Sequence, residues 1–200
     1  MAIVFSLCSL LSSMAAWADT LIFINQLGSV TLSETGIVST QSQITEFYHD
    51  GEKSLHRNDL GWVSFSTGTL ASGSLLGGGT FSSNGSSFIV TGFGQHGLPN
   101  GTIFSGSFYG LIYWTLVKQS GDHYTFDLSG GVTGMLYNGR TVEGATNQTI
   151  SVNLGNPNLG NIHSGRSGFG GGLSTPEPGT LALFATGLSV LIGAMRRKAL

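Results

Sequence analysis

LIYWTLVKQSGDHYTFDLS, residues 111–129, carries two strand patterns on either side of a turn. In its second half Tyr124, Phe126 and Leu128 fall on one side of the chain, and His123, Thr125, Asp127 and Ser129 on the other. A period of two is what a half-buried strand requires, because successive side chains point to opposite faces. Its first half, Leu111 to Lys118, is apolar at most positions and reads as a more central strand. There Trp114 shares a face with Ile112 and Leu116, which predicts burial. Gln119-Ser-Gly-Asp122 joins the halves, with a glycine free to take positive φ. The whole segment is a predicted hairpin.

The same alternation recurs along the chain. Thr149 to Leu154 places Ile150, Val152 and Leu154 on one face. Further short runs at 21–26, 28–33, 42–48, 60–66, 86–93, 102–109, 131–137 and 140–146 have strand composition, separated by Gly, Ser, Asn and Asp. Roughly ten short strands with turn chemistry between them predict an antiparallel β-sandwich, jelly-roll forms included, over residues 19–154. An up-and-down barrel is the alternative. No fixed repeat period supports a solenoid.

Composition agrees with this class. The 200 residues include 32 Gly and are only 9% charged, which excludes a disordered polyelectrolyte and disfavours a long-helix protein. Between Asp19 and Thr175 there are five Lys or Arg against nine Asp or Glu, so no basic surface is expected for nucleic acid. From 155 to 175, GNPNLGNIHSGRSGFGGGLST, the alternation stops and seven glycines appear in 21 residues, which predicts a flexible tether.

Both ends of the chain carry export signals. Residues 1–18 read as a secretory signal peptide: an apolar run at 3–16, then Ala16-Trp-Ala18 as the small-x-small cleavage pattern before Asp19. The first ten residues contain no Lys or Arg, a departure from the usual pattern. Cys8 is the only cysteine and lies inside this segment, with Leu7 before it where a lipidation site needs a small residue. The mature protein is therefore expected to have neither disulfides nor thiol chemistry.

Residues 176–200 form the other signal. Pro176-Glu177-Pro178 precedes an uncharged run, Thr180 to Met195, and then Arg196, Arg197 and Lys198. With its flanks the run just reaches the length of a transmembrane helix, about 17–20 residues. The basic end is expected to stay cytoplasmic, leaving the β-domain across the membrane. Each proline keeps the residue before it extended, so the triplet stands accessible to a membrane-embedded enzyme.

The proline triplet, apolar helix and basic end resemble the PEP-CTERM sorting signal of Gram-negative bacteria, over about 25 residues. The resemblance implies recognition by exosortase, which removes the tail and releases or transfers the protein. It also implies association with exopolysaccharide and biofilm matrix. The sorting roles attach to Pro176, Glu177, Pro178 and the basic end. An uncut tail anchor is the alternative reading.

Catalytic and cofactor patterns are weak. Gly92-Phe-Gly-Gln-His-Gly97 matches a dinucleotide fingerprint, but Leu98-Pro-Asn-Gly101 follows where a helix must open, so it reads as a loop. The polar cluster 48–59 contains His49, Asp50, Glu52, His56 and Asp59 without the spacing of a calcium loop or zinc helix. It reads as a solvated loop, with no metal and no cofactor expected. No Gly-x-Ser-x-Gly elbow occurs. Among Trp62, Tyr109, Tyr113 and Trp114, all on predicted strands, Trp62 shares its face with Ser64 and Ser66 and is the ring best placed to stack on a sugar. The expectation is a non-enzymatic exported surface or matrix protein, with a polysaccharide-binding module as the alternative.

Overall fold

The computed structural model describes residues 20–50, 52–56, 60–95, 98–153 and 160–170. The signal-peptide cleavage site and the sorting segment expected above lie outside these residues. Eleven strands form one sheet. They are β1 (Thr20–Ser33), β2 (Gly36–His49), β3 (Glu52–His56), β4 (Gly61–Ser66), β5 (Leu70–Ser74) and β6 (Gly78–Phe81). The remainder are β7 (Ser87–Phe93), β8 (Asn100–Ser120), β9 (His123–Leu136), β10 (Thr141–Asn153) and β11 (Gly160–Gly170). No helix among the described residues is long and apolar enough to cross a membrane.

The expected all-β class is observed, but the sandwich is not. Around the sheet run β1, β2, β4, β7, β8, β9, β10 and β11, each antiparallel to the next. β11 then pairs back onto β1, from Thr20 opposite Gly170 to Val30 opposite Gly160, and the ring closes. The fold is an eight-stranded antiparallel barrel in up-and-down order. Closure leaves the ring without a free edge. Outside it, β3 flanks β2, and the β5–β6 hairpin adds to β8 beyond the reach of β7.

Two physical facts produce a barrel where short strands predict a sandwich. First, the closing strand comes from the glycine-rich stretch expected to be a tether. Gly160–Gly170 is β11, so the β-domain extends past 154 and the tether expected over 155–175 is interrupted. Second, neighbouring short runs fuse. In β1 the inward residues are Leu21, Phe23 and Asn25, then Val30 and Leu32. The change of phase is taken up at a bulge where Leu27 and Gly28 have φ of 64° and 80°. A Cβ at Gly28 would stand 2.6 Å from the Thr40 carbonyl oxygen, so only glycine fits. In β9 the runs 123–129 and 131–137 join through Gly130 and Gly131, and the Tyr109 ring lies over Gly131, 2.5 Å from where a Cβ would sit. Long strands curl one sheet onto itself; short ones need a second layer.

The barrel interior is filled. Phe88 lies 5.7–6.2 Å, ring centre to centre, from Phe65, Phe104, Phe108 and Phe169. Phe104 stacks on Phe169 at 4.2 Å. Trp114 is buried as expected, stacked on Phe126 at 4.2 Å, and its indole Nε1 donates to the Leu75 carbonyl at 2.8 Å. Of the expected inward sets, Phe126, Leu128, Ile150 and Val152 are buried, Tyr124 is partly buried against the core, and Leu154 lies outside the described residues. Burial of this many aromatic rings supplies most of the driving force, at about 25 cal/mol per Å² of apolar surface.

One interior band is polar. Asn25, Ser42, Thr146, Gln148 and Ser167, on β1, β2, β10 and β11, are buried and bonded to one another. A buried amide that finds its partners costs little, whereas an unpaired one costs about 1–3 kcal/mol. In this band every Asn25 and Gln148 amide atom has a partner.

Candidate functional site

With the interior packed, binding surfaces lie at the barrel ends and on its outer wall. One is a partly open depression of about 160 Å³ between Leu21, Phe47, His49, Ile103 and Tyr137. Another, about 510 Å³, opens between the β8–β9 turn and the start of β11, beside His123, Tyr124, Ser151 and Asn161. A third, about 700 Å³, is an open groove across the outer faces of β8, β9, β10, β11 and β1.

Strand register builds this groove. Tyr113 on β8 stands opposite Ser129 on β9, Ser129 opposite Asn147 on β10, Asn147 opposite Arg166 on β11, and Arg166 opposite Ile24 on β1. The adjacent row reads Tyr109, Gly131, Ala145, Gly168, Ile22. The middle of that row has almost no side chains, so the surface sinks between the tyrosines and Ile22. Gly168 is telling: a Cβ there would meet only the Ile22 side chain, at an ordinary 3.8 Å. Packing does not demand glycine at 168, and its bare backbone is what keeps the floor low. Tyr109 and Tyr113 are exposed, as are Asn147 and Arg166. Among the described residues the Arg166 guanidinium makes no ion pair.

The structure distributes the sequence-predicted residues unevenly. Trp62 is exposed, 37% of its surface, on the outer face of β4 between Gln43 and Thr91. It packs edge-on against Phe93 at 4.8 Å and lines none of the three depressions. Gly92 lies within β7, opposite Gly61 and Gly101, Gly94 follows the strand with φ of 71°, and β8 begins at Asn100. Of the polar cluster at 48–59, His49 and Asp50 are at the end of β2, and the side chains from 51 to 59 lie outside the described residues. Among the described residues no group of three or more His, Cys, Asp or Glu is placed to hold a metal.

Sequence reasoning named Tyr109 and Tyr113 but missed Asn147, Arg166 and Gly168 as their companions. Arg166 and Gly168 lay inside the expected tether. In β11 only Ile162 and Phe169 are buried apolar side chains, seven positions apart, so no period of two marks it as a strand.

The barrel by itself assigns no activity, because one fold hosts many functions. Residues 174–198 match the model of the PEP-CTERM protein-sorting motif. The chain thus carries the signal of an exported protein that is sorted through the membrane to the cell surface by exosortase. No curated protein and no solved structure matches the chain.

Proposed function

We propose that this is a non-catalytic surface or matrix protein, held in the membrane as a precursor by the apolar run Thr180 to Met195 and released or transferred when exosortase acts near Pro176. Its setting is the exopolysaccharide or biofilm matrix. The observation that carries this reading is the PEP-CTERM match at 174–198. The test is the intact mass of the protein recovered separately from culture medium and membranes. A species from Asp19 to near Pro176 supports the reading. A membrane species still ending at Leu200 reduces the tail to an anchor.

A second reading, a polysaccharide-binding barrel on the same tail, is favoured by a specific feature of the outer wall. Tyr113, exposed by 54%, stands beside a floor of Ala145 and Gly168, while the ring of Tyr109, 45% exposed, covers Gly131. Tyrosine offers a flat apolar face together with a hydrogen-bonding tip, which suits a sugar ring.

A further inference from the structure

We infer that the outer groove between Tyr113 and Ile22 takes a segment of an anionic polysaccharide, a chain of sugars carrying carboxylates. This rests on the polysaccharide-binding reading and names the site and class of glycan. Three observations converge. The groove crosses five strands and encloses about 700 Å³, within the range of small-ligand sites. Its sides differ in chemistry: Tyr113 presents an aromatic face at one side, while Asn147 and Arg166 stand in the same row over β10 and β11. A sugar chain laid along that row meets the ring with its C–H face and the amide and guanidinium with its hydroxyls and carboxylate.

Charge selects the acidic class. Arg166 lines the groove with no ion-pair partner among the described residues, and a guanidinium binds a carboxylate through two parallel N–H donors. Among the described outer-face carboxylates, Asp127 stands one row over on β9 opposite Thr149, whose Oγ1 donates to it at 2.7 Å, and it does not line the groove. Glu46 stands beyond Ile24 in the same row, and Glu143 pairs with Gly170 at the far end of β11. Neither lines the groove. An acidic ligand therefore finds a cation there on an otherwise mildly acidic body.

The experiment measures binding of the exported protein, as recovered from cells, to immobilised alginate, a polyuronate, and to neutral dextran. Wild type is expected to prefer alginate. Tyr113→Ala and Arg166→Gln should each weaken alginate binding by about tenfold or more, about 1.4 kcal/mol. Near-ultraviolet circular dichroism of both variants should stay unchanged, and Trp62→Ala should bind as wild type. Raising salt should weaken binding of the wild type more than of Arg166→Gln. Equal binding of dextran overturns the anionic class. Preference for alginate that survives both groove substitutions overturns the site while leaving the polysaccharide reading intact. Absence of binding to either glycan overturns both. A stable dimer in light scattering that Tyr113→Ala dissociates, without added glycan, reassigns the groove to a contact between copies.

Discussion

Asn25 and Gln148, 123 positions apart in the chain, exchange amide hydrogen bonds inside the barrel. Asn25 Nδ2 donates to Gln148 Oε1 at 2.8 Å, and Gln148 Nε2 donates back to Asn25 Oδ1 at 3.3 Å. They sit on β1 and β10, which are not neighbours: β11 runs between them, with Gly165 opposite both. The amides meet only because Gly165 has no side chain. The outer hydrogens go to Ser42 Oγ at 2.7 Å and Thr146 Oγ1 at 2.8 Å, so the band ties together four strands on both sides of the closure. Shifting β11 by one residue would put a side chain between the amides, so the pair selects the closing register.

Gly165→Ala should therefore be among the costliest single-methyl changes in the domain. The new Cβ would overlap Gln148 Oε1 and stand 2.5 Å from Asn25 Oδ1. Separating two buried amides leaves donors and acceptors unpaired, and a loss of about 2–4 kcal/mol is expected. Gly170→Ala, five residues on in the same strand, would place its Cβ with nothing within 4 Å and should change stability by about 0.5 kcal/mol or less. Urea unfolding of both variants decides this; a midpoint shared by the two would show that the amide pair does not govern closure.

The role of β11 makes a prediction about truncation. If the domain ended near residue 154, a chain stopped after Asn153 would fold. Because β11 pairs with both β1 and β10, that chain should instead expose one open edge on each of these strands and either aggregate or be degraded. A chain stopped after Gly172 should resist limited proteolysis. Equal protease resistance of the two would mean that the barrel does not need its last strand.

The strands inside the barrel were legible wherever apolar and polar residues alternate without interruption, as in Tyr124 to Leu128 and Ile150 to Val152. The turn at Gly121 was legible as well, and its φ is 59°. Fusion of neighbouring runs was not. A bulge reverses the phase of the pattern in β1, and the seating of Gly131 under the Tyr109 ring depends on a residue 22 positions away. Closure was hidden for a similar reason: the inward positions of β11 include Gly165 and Ser167, which face amides and hydroxyls rather than hydrocarbon. The groove inherits that difficulty, since two of its key residues are on β11. The sorting motif was legible because it is a contiguous signal that needs no fold to be recognised.

Trp114 links the barrel to the β5–β6 hairpin beside it. Its indole donates to the carbonyl of Leu75, in the turn between those strands, while its backbone pairs with Gly79. Trp114→Phe keeps an aromatic ring against Phe126 and removes the donor. A cost of about 1 kcal/mol is expected, concentrated in the hairpin. Hydrogen exchange should quicken at Gly78–Phe81 and stay unchanged in β9 and β10. Uniform acceleration across all strands would show that the indole stabilises the barrel as a whole.

The sorting tail carries the last prediction. β11 ends at Gly170 and the matched motif begins at 174, so the Pro176-Glu177-Pro178 triplet follows the last barrel strand within a few residues. Replacing Glu177 by Gln and both prolines by Ala should leave export and folding intact but block processing, because the extended backbone the prolines impose is lost. The unprocessed chain should then accumulate in membranes at full length past the signal peptide. Neutralising Arg196, Arg197 and Lys198 should act differently, by weakening retention of the tail in the bilayer, and should send unprocessed protein outward. Mass spectrometry of the two fractions separates these outcomes. Normal release of the triplet variant, cut at the wild-type position, would show that the enzyme reads the apolar run alone.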